Sequence, residues 1–390
     1  MSQVPCSTTL WLALGLLTVA ACADEPLSSP RPAAAAVAHP AAADGREIFR
    51  HETWGDEAFW TNTLRLHEVV QAAVDPATAL GVGLKVDATR LPPGFLARAD
   101  LKSPATTVEL LRRDAVLGVK AKVTAGRIAQ LGITCALCHS TVDNSVAPGI
   151  GRRLDGWPNR DLNVGAIVAL SPVLDAATKA VFQSWGPGRY DAYFNHDGKN
   201  GPVLIPPAYG LRDVALETYT GEGPISYWNS YVAITQMHGQ GSFSDPRLGI
   251  NIVAQPDLVT PKLPVLRDYQ FTLEPPQPPA GSFEPTAAER GRVVFTEPGR
   301  CASCHIPPTY TDAPLLHAPA ETGSDPGLAG RGTTGRYRTT PLRGAWQHPP
   351  YFHDGSAGTL SDVVAHYNTT LLLGLTPQQQ ADLVQFLKSL

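Results

Sequence analysis

The sequence of 390 residues has few charged residues, few methionines and no long apolar run. Charged side chains make up 17% of it, and 31 basic residues face 35 acidic ones, so it lacks the broad positive field that binds nucleic acid. No segment reaches the ~18 consecutive apolar residues of a membrane-spanning helix. We therefore expect neither a nucleic-acid partner nor a transmembrane span.

Cysteine is also scarce, and its placement is informative. Of the six cysteines, Cys6 and Cys22 lie close to the N-terminus, and the other four form two Cys-x-x-Cys pairs that are each followed by His. This placement leaves no cysteine for a structural disulfide.

The N-terminus reads as an export signal. Residues 10–21 form a twelve-residue apolar run that ends in small residues, which is typical of the core of a signal peptide. We predict a signal peptide over residues 1–23. Residues 19–22 (VAAC) also resemble a bacterial lipobox with Cys22 as the lipidated residue, so the mature protein is expected in the periplasm, either soluble or held by a lipid anchor.

Composition divides the rest of the chain into two predicted domains. Residues 24–44 are rich in Ala and Pro and predict a tether, because this composition cannot bury a core. A first domain is predicted over residues 45–273 and a second over residues 286–390, with a Pro-rich linker over residues 274–285 between them.

Helix signals dominate both predicted domains, and strand signals are weak. Residues 286–289 (TAAE) have capping-box spacing, which predicts a helix from Thr286 that carries Gly291 and Phe295 on one face. Residues 376–379 (TPQQ) predict the start of a closing amphipathic helix. This pairing resembles the cytochrome c fold, so we predict a mainly α protein with two cytochrome c-like haem domains, of which the first is loop-rich and enlarged by a long insertion.

The two Cys-Cys-His segments carry the strongest chemical signal. They consist of Cys135, Cys138 and His139, and of Cys301, Cys304 and His305. Two thiols one helical turn apart can add to the two vinyl groups of one porphyrin, and the adjacent imidazole then binds the iron. A redox dithiol or half of a zinc site are the rival interpretations, but both copies carry the His. We predict two covalently attached c-type haems.

Few residues of this sequence could serve as the second axial ligand of each iron. Methionine occurs only as Met1 and Met237, so the second predicted domain contains none. Unless Met237 reaches across, the second haem cannot have His/Met ligation. The remaining candidates near the second motif are His317, His348, His353, His366 and Tyr367.

The second domain resembles a known family. Residues 335–343 (GRYRTTPLR) and 350–356 (PYFHDGS) are similar to the C-terminal domain of bacterial di-haem cytochrome c peroxidases, a superfamily that includes the enzyme that matures methylamine dehydrogenase. Fourteen residues beyond His353 the peroxidases have Met and the methylamine-utilisation relative has a ligating Tyr. The resemblance implies Tyr367 as ligand of the second haem, with neighbouring His366 as the alternative and His353 as a lesser candidate.

The first domain contains a weaker copy of the same segment. Residues 211–212 (LR) and 219–221 (YTG) parallel the second segment, and Met237 follows its Arg by 25 residues where Tyr367 follows by 24. We therefore predict Met237 as a ligand of the first haem, with His238 as its substitute.

Arginines near both motifs suit haem propionates, because the guanidinium group forms paired hydrogen bonds to carboxylates. Arg343 is the preferred candidate. The others are Arg152, Arg153, Arg336 and Arg338.

Two redox centres in one chain predict electron transfer. The resemblance implies an oxidoreductase of cytochrome c peroxidase type that acts on hydrogen peroxide, exchanges electrons with a small redox protein and uses the first haem as the reactive centre. Three departures stand against a simple transfer of that activity: Tyr219 stands where the family has the Trp of its Trp-Asp-Gly motif, the second haem lacks Met, and residues 51–131 have no counterpart. A non-catalytic electron carrier and a di-haem oxygenase acting on an organic substrate remain the alternatives.

Overall fold

The computed structural model describes residues 40–390, and its framework consists of short helices joined by long loops. The predicted signal peptide, Cys22 and most of the predicted tether lie outside the described residues. The α-helices are α1 Pro40–His51, α2 Leu66–Ala73, α3 Pro76–Gly81, α4 Phe95–Arg98, α5 Pro104–Arg112, α6 Ala136–His139, α7 Val164–Val168, α8 Ala176–Gln183, α9 Phe194–Asp197, α10 Ile225–Tyr231, α11 Leu263–Gln270, α12 Pro285–Thr296, α13 Pro319–Thr322, α14 Leu360–Thr370 and α15 Pro377–Ser389. Tighter or wider helical turns occupy Ala58–Thr63, Ala88–Arg90, Val232–Gln236, Thr260–Lys262, Cys301–Ser303 and Ala345–Gln347.

The strands pair only two by two within residues 40–390. They are β1 Val86–Asp87, β2 Val119–Thr124, β3 Arg127–Ile133, β4 Ser140–Val142, β5 Ile150–Gly151, β6 Arg153–Asp155, β7 Arg189–Tyr190, β8 Val203–Leu204, β9 Phe243–Asp245, β10 Ile250–Ile252, β11 Leu316–His317 and β12 Tyr337–Arg338. β1 pairs with β5 in parallel, and the other pairs, β2 with β3, β4 with β6, β7 with β8, β9 with β10 and β11 with β12, are antiparallel. The prediction of a mainly α protein is confirmed.

The second helical region is organised around the packing of α12 on α15. A Cβ atom added to Gly291 would lie 2.0 Å from the carbonyl oxygen of Asp382, so only glycine allows the two backbones to come this close. Phe295 and Phe386 meet nearby, with ring centroids 5.1 Å apart. The close approach predicted for Gly291 is therefore confirmed.

The first region has a matching helix pair, formed by α1 and α11. A Cβ atom on Gly45 would lie 2.2 Å from the carbonyl oxygen of Val265, and Phe49 packs on Tyr269 with centroids 5.6 Å apart. In each region, a helix with the pattern Gly-x-x-x-Phe crosses a later helix, and the two backbones are in contact at the glycine. This internal parallel agrees with two copies of one helical arrangement.

The predicted helix starts agree with the structure at one end and differ at the other. Thr376 caps α15 and forms the capping box with Gln379, as the spacing predicted. α12 begins one residue earlier than predicted, because the carboxylate of Glu284, rather than Thr286, accepts hydrogen bonds from the free backbone N–H groups of the first turn. α1 begins at Pro40, inside the segment predicted as a tether.

The insertion at residues 51–131 forms part of a second apolar core in the first region. Its helices α2 and α5 and the β2–β3 hairpin pack with residues around the first Cys-Cys-His segment in one apolar cluster. Trp54 and Trp60 are buried and therefore belong to the hydrophobic core, whereas His67 is half-buried. Trp60 also borders the cavity described below.

Charged contacts connect the segment from β11 to the end of β12 with the first region. Arg331 forms hydrogen-bonded ion pairs with Asp191 and Asp197, and Arg338 pairs with Glu217. Among the helices of residues 40–390, none combines the length and the apolar character needed to cross a bilayer.

Candidate functional site

Each Cys-Cys-His segment folds into a single helical turn. In the first, Cys135 begins the turn and Cys138 lies three residues on, so both thiols lie on the same side of α6. In the second, Cys301 begins a tight turn in which residues three apart are eclipsed, which brings Cys304 into line with it. The local geometry of both segments therefore suits two bonds to one flat ligand.

The histidines of the two segments make the same hydrogen bond. His139 Nδ1 lies 3.1 Å from the carbonyl oxygen of Pro206, and His305 Nδ1 lies 3.0 Å from that of Tyr310. Because a carbonyl oxygen can only accept, Nδ1 carries the hydrogen in both rings, and Nε2 keeps a free lone pair.

Burial keeps both imidazoles neutral. It lowers the pKa of His139 to about 4 and lowers that of His305 below its ordinary value. A neutral ring with its second nitrogen fixed by a carbonyl is the form that binds a metal. Both histidines are therefore prepared as iron ligands.

The thiols lack the features of a redox dithiol. Burial raises the pKa of Cys135 and Cys138 to about 12 and that of Cys301 to about 11. Reactive dithiols need a lowered thiol pKa instead. The thiols and histidine of one segment do not form a zinc site among themselves: the one group of three metal-binding side chains found among residues 40–390 is Cys304 with Asp312 and His317.

One cavity of about 1280 Å³ connects the two segments. This volume exceeds the ~300–1,000 Å³ of a pocket for a single small ligand. The nine site residues predicted from the sequence all border it, namely Cys135, Cys138, His139, Met237, Cys301, Cys304, His305, Arg343 and Tyr367. The fold thus brings together residues that are separated by more than two hundred positions in the chain.

The structure separates the two ligand candidates on α14. Tyr367 borders the cavity, and its hydroxyl has no hydrogen-bond partner among the described residues. Burial, together with the nearby Cys301 and Cys304, raises its pKa to about 12. His366 points elsewhere, because its Nε2 lies 2.9 Å from the carbonyl oxygen of Thr322. This geometry favours Tyr367 over His366.

Met237 and His238 are separated in a similar way. Met237 is 4% exposed and lies in the cavity wall at the end of the wide helical turn Val232–Gln236. His238 also borders the cavity, but its side chain is exposed to solvent and its ring stacks on Phe59 with centroids 3.6 Å apart. This geometry favours Met237.

Two of the other histidines near the second segment have side-chain partners, and the third has a hydrogen bond through its backbone. His353 stacks on Tyr337 with centroids 4.8 Å apart, and its Nε2 lies 3.2 Å from the Tyr337 hydroxyl. His317 lies between Asp312 and Glu321. His348 is buried, and its carbonyl oxygen accepts a hydrogen bond from Arg160.

The predicted propionate-binding arginines differ in their surroundings. Arg343 borders the cavity but its Nη2 already donates to Glu274 at 3.0 Å, and Arg152 is an exposed residue paired with Asp143. Arg336 is exposed and lies near Glu321. Arg153 is buried against Asp87.

Two arginines in the cavity wall have buried nitrogens without partners among the described residues. They are Nε and Nη1 of Arg160 and Nε of Arg338. A buried donor without an acceptor costs ~1–3 kcal/mol, so both side chains call for an anionic group in the cavity. The carboxylates of a haem meet that need, and the apolar wall and the two prepared histidines fit its ring and iron. Sequence reasoning missed Arg160, since nothing local distinguishes it from a surface arginine.

Two known proteins share part of this sequence. Methylamine utilization protein MauG of Methylorubrum extorquens is 31% identical over 123 residues, which cover 26% of this chain and 34% of MauG. Cytochrome-c peroxidase IdrP1 of Denitromonas iodatirespirans is 30% identical over 149 residues, which cover 26% of this chain and 40% of IdrP1. The chain therefore shows partial homology to both proteins, which is consistent with the di-haem peroxidase superfamily. The resemblance stated from the sequence is thereby confirmed, over about a third of the length of each relative.

Other comparisons add little. No protein-family model matches the chain. Among solved structures, hydrazine synthase of Kuenenia stuttgartiensis has a TM-score of 0.35 at 19% identity over 49% of this chain and 73% of its own. A MauG-like protein associated with microbial copper homeostasis has a TM-score of 0.36 at 18% identity over 49% of this chain and 74% of its own. TM-scores below 0.5 do not establish a shared overall fold.

Proposed function

We propose that this protein is an exported di-haem c-type cytochrome that transfers electrons through two covalently attached haems, and that it is an oxidoreductase of cytochrome c peroxidase type acting on hydrogen peroxide. The observation that carries the proposal is the single cavity that both Cys-Cys-His segments border, with each histidine held by a carbonyl and each Nε2 free. The partial similarity to a cytochrome-c peroxidase and to MauG supports the same class of reaction.

In this proposal the residues around the cavity have distinct tasks. The thiols of the two segments attach the rings, and His139 and His305 hold the irons. When bound, the haems supply one-electron chemistry and the reduction of peroxide. Arg160 and Arg338 hold the carboxylates, and the largely apolar wall keeps water out, which strengthens every charge interaction inside.

Met237 and Tyr367 occupy the positions that the proposal assigns to the second axial ligands. A thioether raises the reduction potential of a c-type haem relative to an oxygen ligand, so the two centres are expected to differ in potential. The proposal further places the protein in the periplasm, soluble or anchored through Cys22, with a small redox protein as electron donor or acceptor.

A second candidate function is the oxidation of an apolar organic substrate. Apolar residues of the insertion border the same cavity as the first segment: Leu66, Val69 and Val70 do so from successive turns of α2, and Phe59 and Trp60 from the turn before it. These residues favour an apolar molecule beside the first haem.

Haem content tests the foundation of the proposal. The pyridine haemochrome assay on the purified protein should give two equivalents, and the Cys135→Ala/Cys138→Ala variant should give one. Ser303→Ala changes the exposed residue between the second pair of thiols and should leave two equivalents. A wild-type protein with its bare polypeptide mass would contradict the proposal.

Ligand state and turnover separate the functions. A high-spin ferric EPR signal together with carbon monoxide binding by the reduced protein is expected for an enzyme, and hydrogen peroxide consumption for a peroxidase. Oxygen uptake with an apolar substrate would favour the second candidate. Two low-spin haems in every redox state would contradict both enzymatic functions and would indicate a non-catalytic electron carrier.

A further inference from the structure

A buried ion pair lies in the wall of the cavity where the two regions meet. Glu217 precedes α10 in the first region, and Arg338 ends β12 in the second. Arg338 Nη1 donates to Glu217 Oε2 at 3.0 Å and to the carbonyl oxygen of Leu216 at 2.9 Å. The two side chains are only 5% and 7% exposed, and both border the cavity.

Neither side chain is saturated by this contact. Glu217 Oε1 and Arg338 Nε are buried without a partner among the described residues. Glu222, a buried carboxylate five residues on, provides the contrast: its oxygens accept hydrogen bonds from Tyr193, Thr220 and Thr333. Glu222 does not border the cavity within the described residues. Glu217 therefore keeps one oxygen free to bind a proton.

The charges around Glu217 come close to balance. Burial raises its pKa, the charge and hydrogen bond of Arg338 lower it, and the result is a pKa of about 7. The next titratable side chain is Tyr219, which is half-buried near both Arg338 and Arg160 and stays protonated because desolvation raises its pKa. Both protonation states of Glu217 are thus accessible near neutral pH.

We propose that Glu217 is a proton-binding site coupled to the redox state of the haem at the second segment. The inference rests on the proposed function, because it needs a haem in the cavity. The haem at the second segment is the assigned partner because Arg338 belongs to the second region, and the carbonyl oxygen of the next residue, Thr339, accepts a hydrogen bond from Thr311, six residues after His305. One electron from the donor protein reduces the haem, one proton from water binds Glu217 Oε1, and both leave on reoxidation.

The coupling follows from electrostatics. An added electron makes the cavity more negative, and inside an apolar wall this change strongly favours the protonated form of a nearby carboxylate. By linkage, protonation of Glu217 must favour the reduced haem to the same extent. The reduction potential therefore falls as pH rises, between the pKa of Glu217 in the oxidised protein and its higher value in the reduced protein. At full coupling the equilibrium changes tenfold per pH unit, or ~59 mV for one electron.

Spectroelectrochemical titration of the holoprotein, over about two pH units on either side of neutrality, tests this inference. The wild-type potential of the second haem should fall with pH at a slope approaching the tenfold limit, and Glu217→Gln should flatten the slope. Glu222→Gln is the matched control and should retain it. Arg338→Leu should move the range of pH over which the potential falls to higher pH, because Glu217 loses the cation that lowers its pKa.

A second measurement covers the case in which Glu217→Gln fails to fold. Reduced-minus-oxidised infrared difference spectra of the wild-type protein should show a protonated carboxylic acid band that shifts in D₂O. Haem counting on the same samples reports the proposed function independently. Two haem equivalents with an unchanged slope in Glu217→Gln, or no carboxylic acid band in the wild type, would overturn this inference alone, whereas a protein without haem would overturn both.

Discussion

Arg331 forms contacts whose loss should strongly destabilise this fold. Its guanidinium group lies between two carboxylates of the first region: it meets Asp191 at 2.8 and 3.0 Å and Asp197 at 2.8 and 3.0 Å. It also donates to the carbonyl oxygens of Lys199 and Gly201. The Arg331 side chain is 9% exposed and that of Asp191 is 1% exposed.

Replacing Arg331 with Ala leaves the buried carboxylate of Asp191 and the partly buried carboxylate of Asp197 without their cation. Breaking one partner out of a buried pair costs about 3–5 kcal/mol, so we expect the free energy of unfolding to fall by about that amount. Arg331→Lys keeps the charge but cannot form paired hydrogen bonds to two carboxylates. Its free energy of unfolding should lie between those of the wild type and Arg331→Ala. Arg336→Ala is the control, because that side chain is half-exposed and its nearest carboxylate oxygen lies 3.5 Å away; it should cost less than ~1 kcal/mol.

Urea denaturation of the holoprotein, followed by far-UV circular dichroism, measures these differences. The pH dependence of the free energy of unfolding is a further test, because its direction follows from the pKa of Asp197. Burial alone would raise the pKa of Asp197, but the hydrogen bond and charge of Arg331 outweigh it and lower the pKa. The stabilisation is therefore complete above the ordinary carboxyl pKa of ~3.9 and is lost as pH falls through the lower folded value. An Arg331→Ala protein as stable as the Arg336→Ala control at neutral pH would refute the reasoning.

Two further predictions concern the axial ligands. Tyr367→Phe should change the optical and EPR spectra of the second haem alone, while His366→Gln should leave them unchanged because its ring points to Thr322; the reverse result would transfer the role to His366. Met237→Ala should lower the potential of the first haem, since a thioether ligand raises it. His238→Ala should not, and spectroelectrochemistry that found both variants equal to wild type would exclude Met237 as a ligand.

Much of the candidate site could be read from the chain because its chemistry is local. Two thiols and an imidazole within five consecutive residues need only one helical turn to serve one ring, and that turn formed at Cys135 and at Cys301. The close helix crossing at Gly291 was likewise predictable, because a glycine four residues before Phe295 on a helix face marks a backbone contact. The scarcity of methionine limited the ligand choices before any fold was known.

Other features depend on which distant segments meet, and no local pattern reports that. Tyr367 and His366 are neighbours in the chain, and the position of the Thr322 carbonyl separates them. Arg338 was one arginine among several until the fold buried it against Glu217, 121 residues away. A charged group without a partner costs much more free energy in an apolar wall than in water. Whether a side chain is buried depends on the packing of the whole molecule. Residue type alone therefore could not distinguish Arg160 and Arg338 from solvated surface arginines.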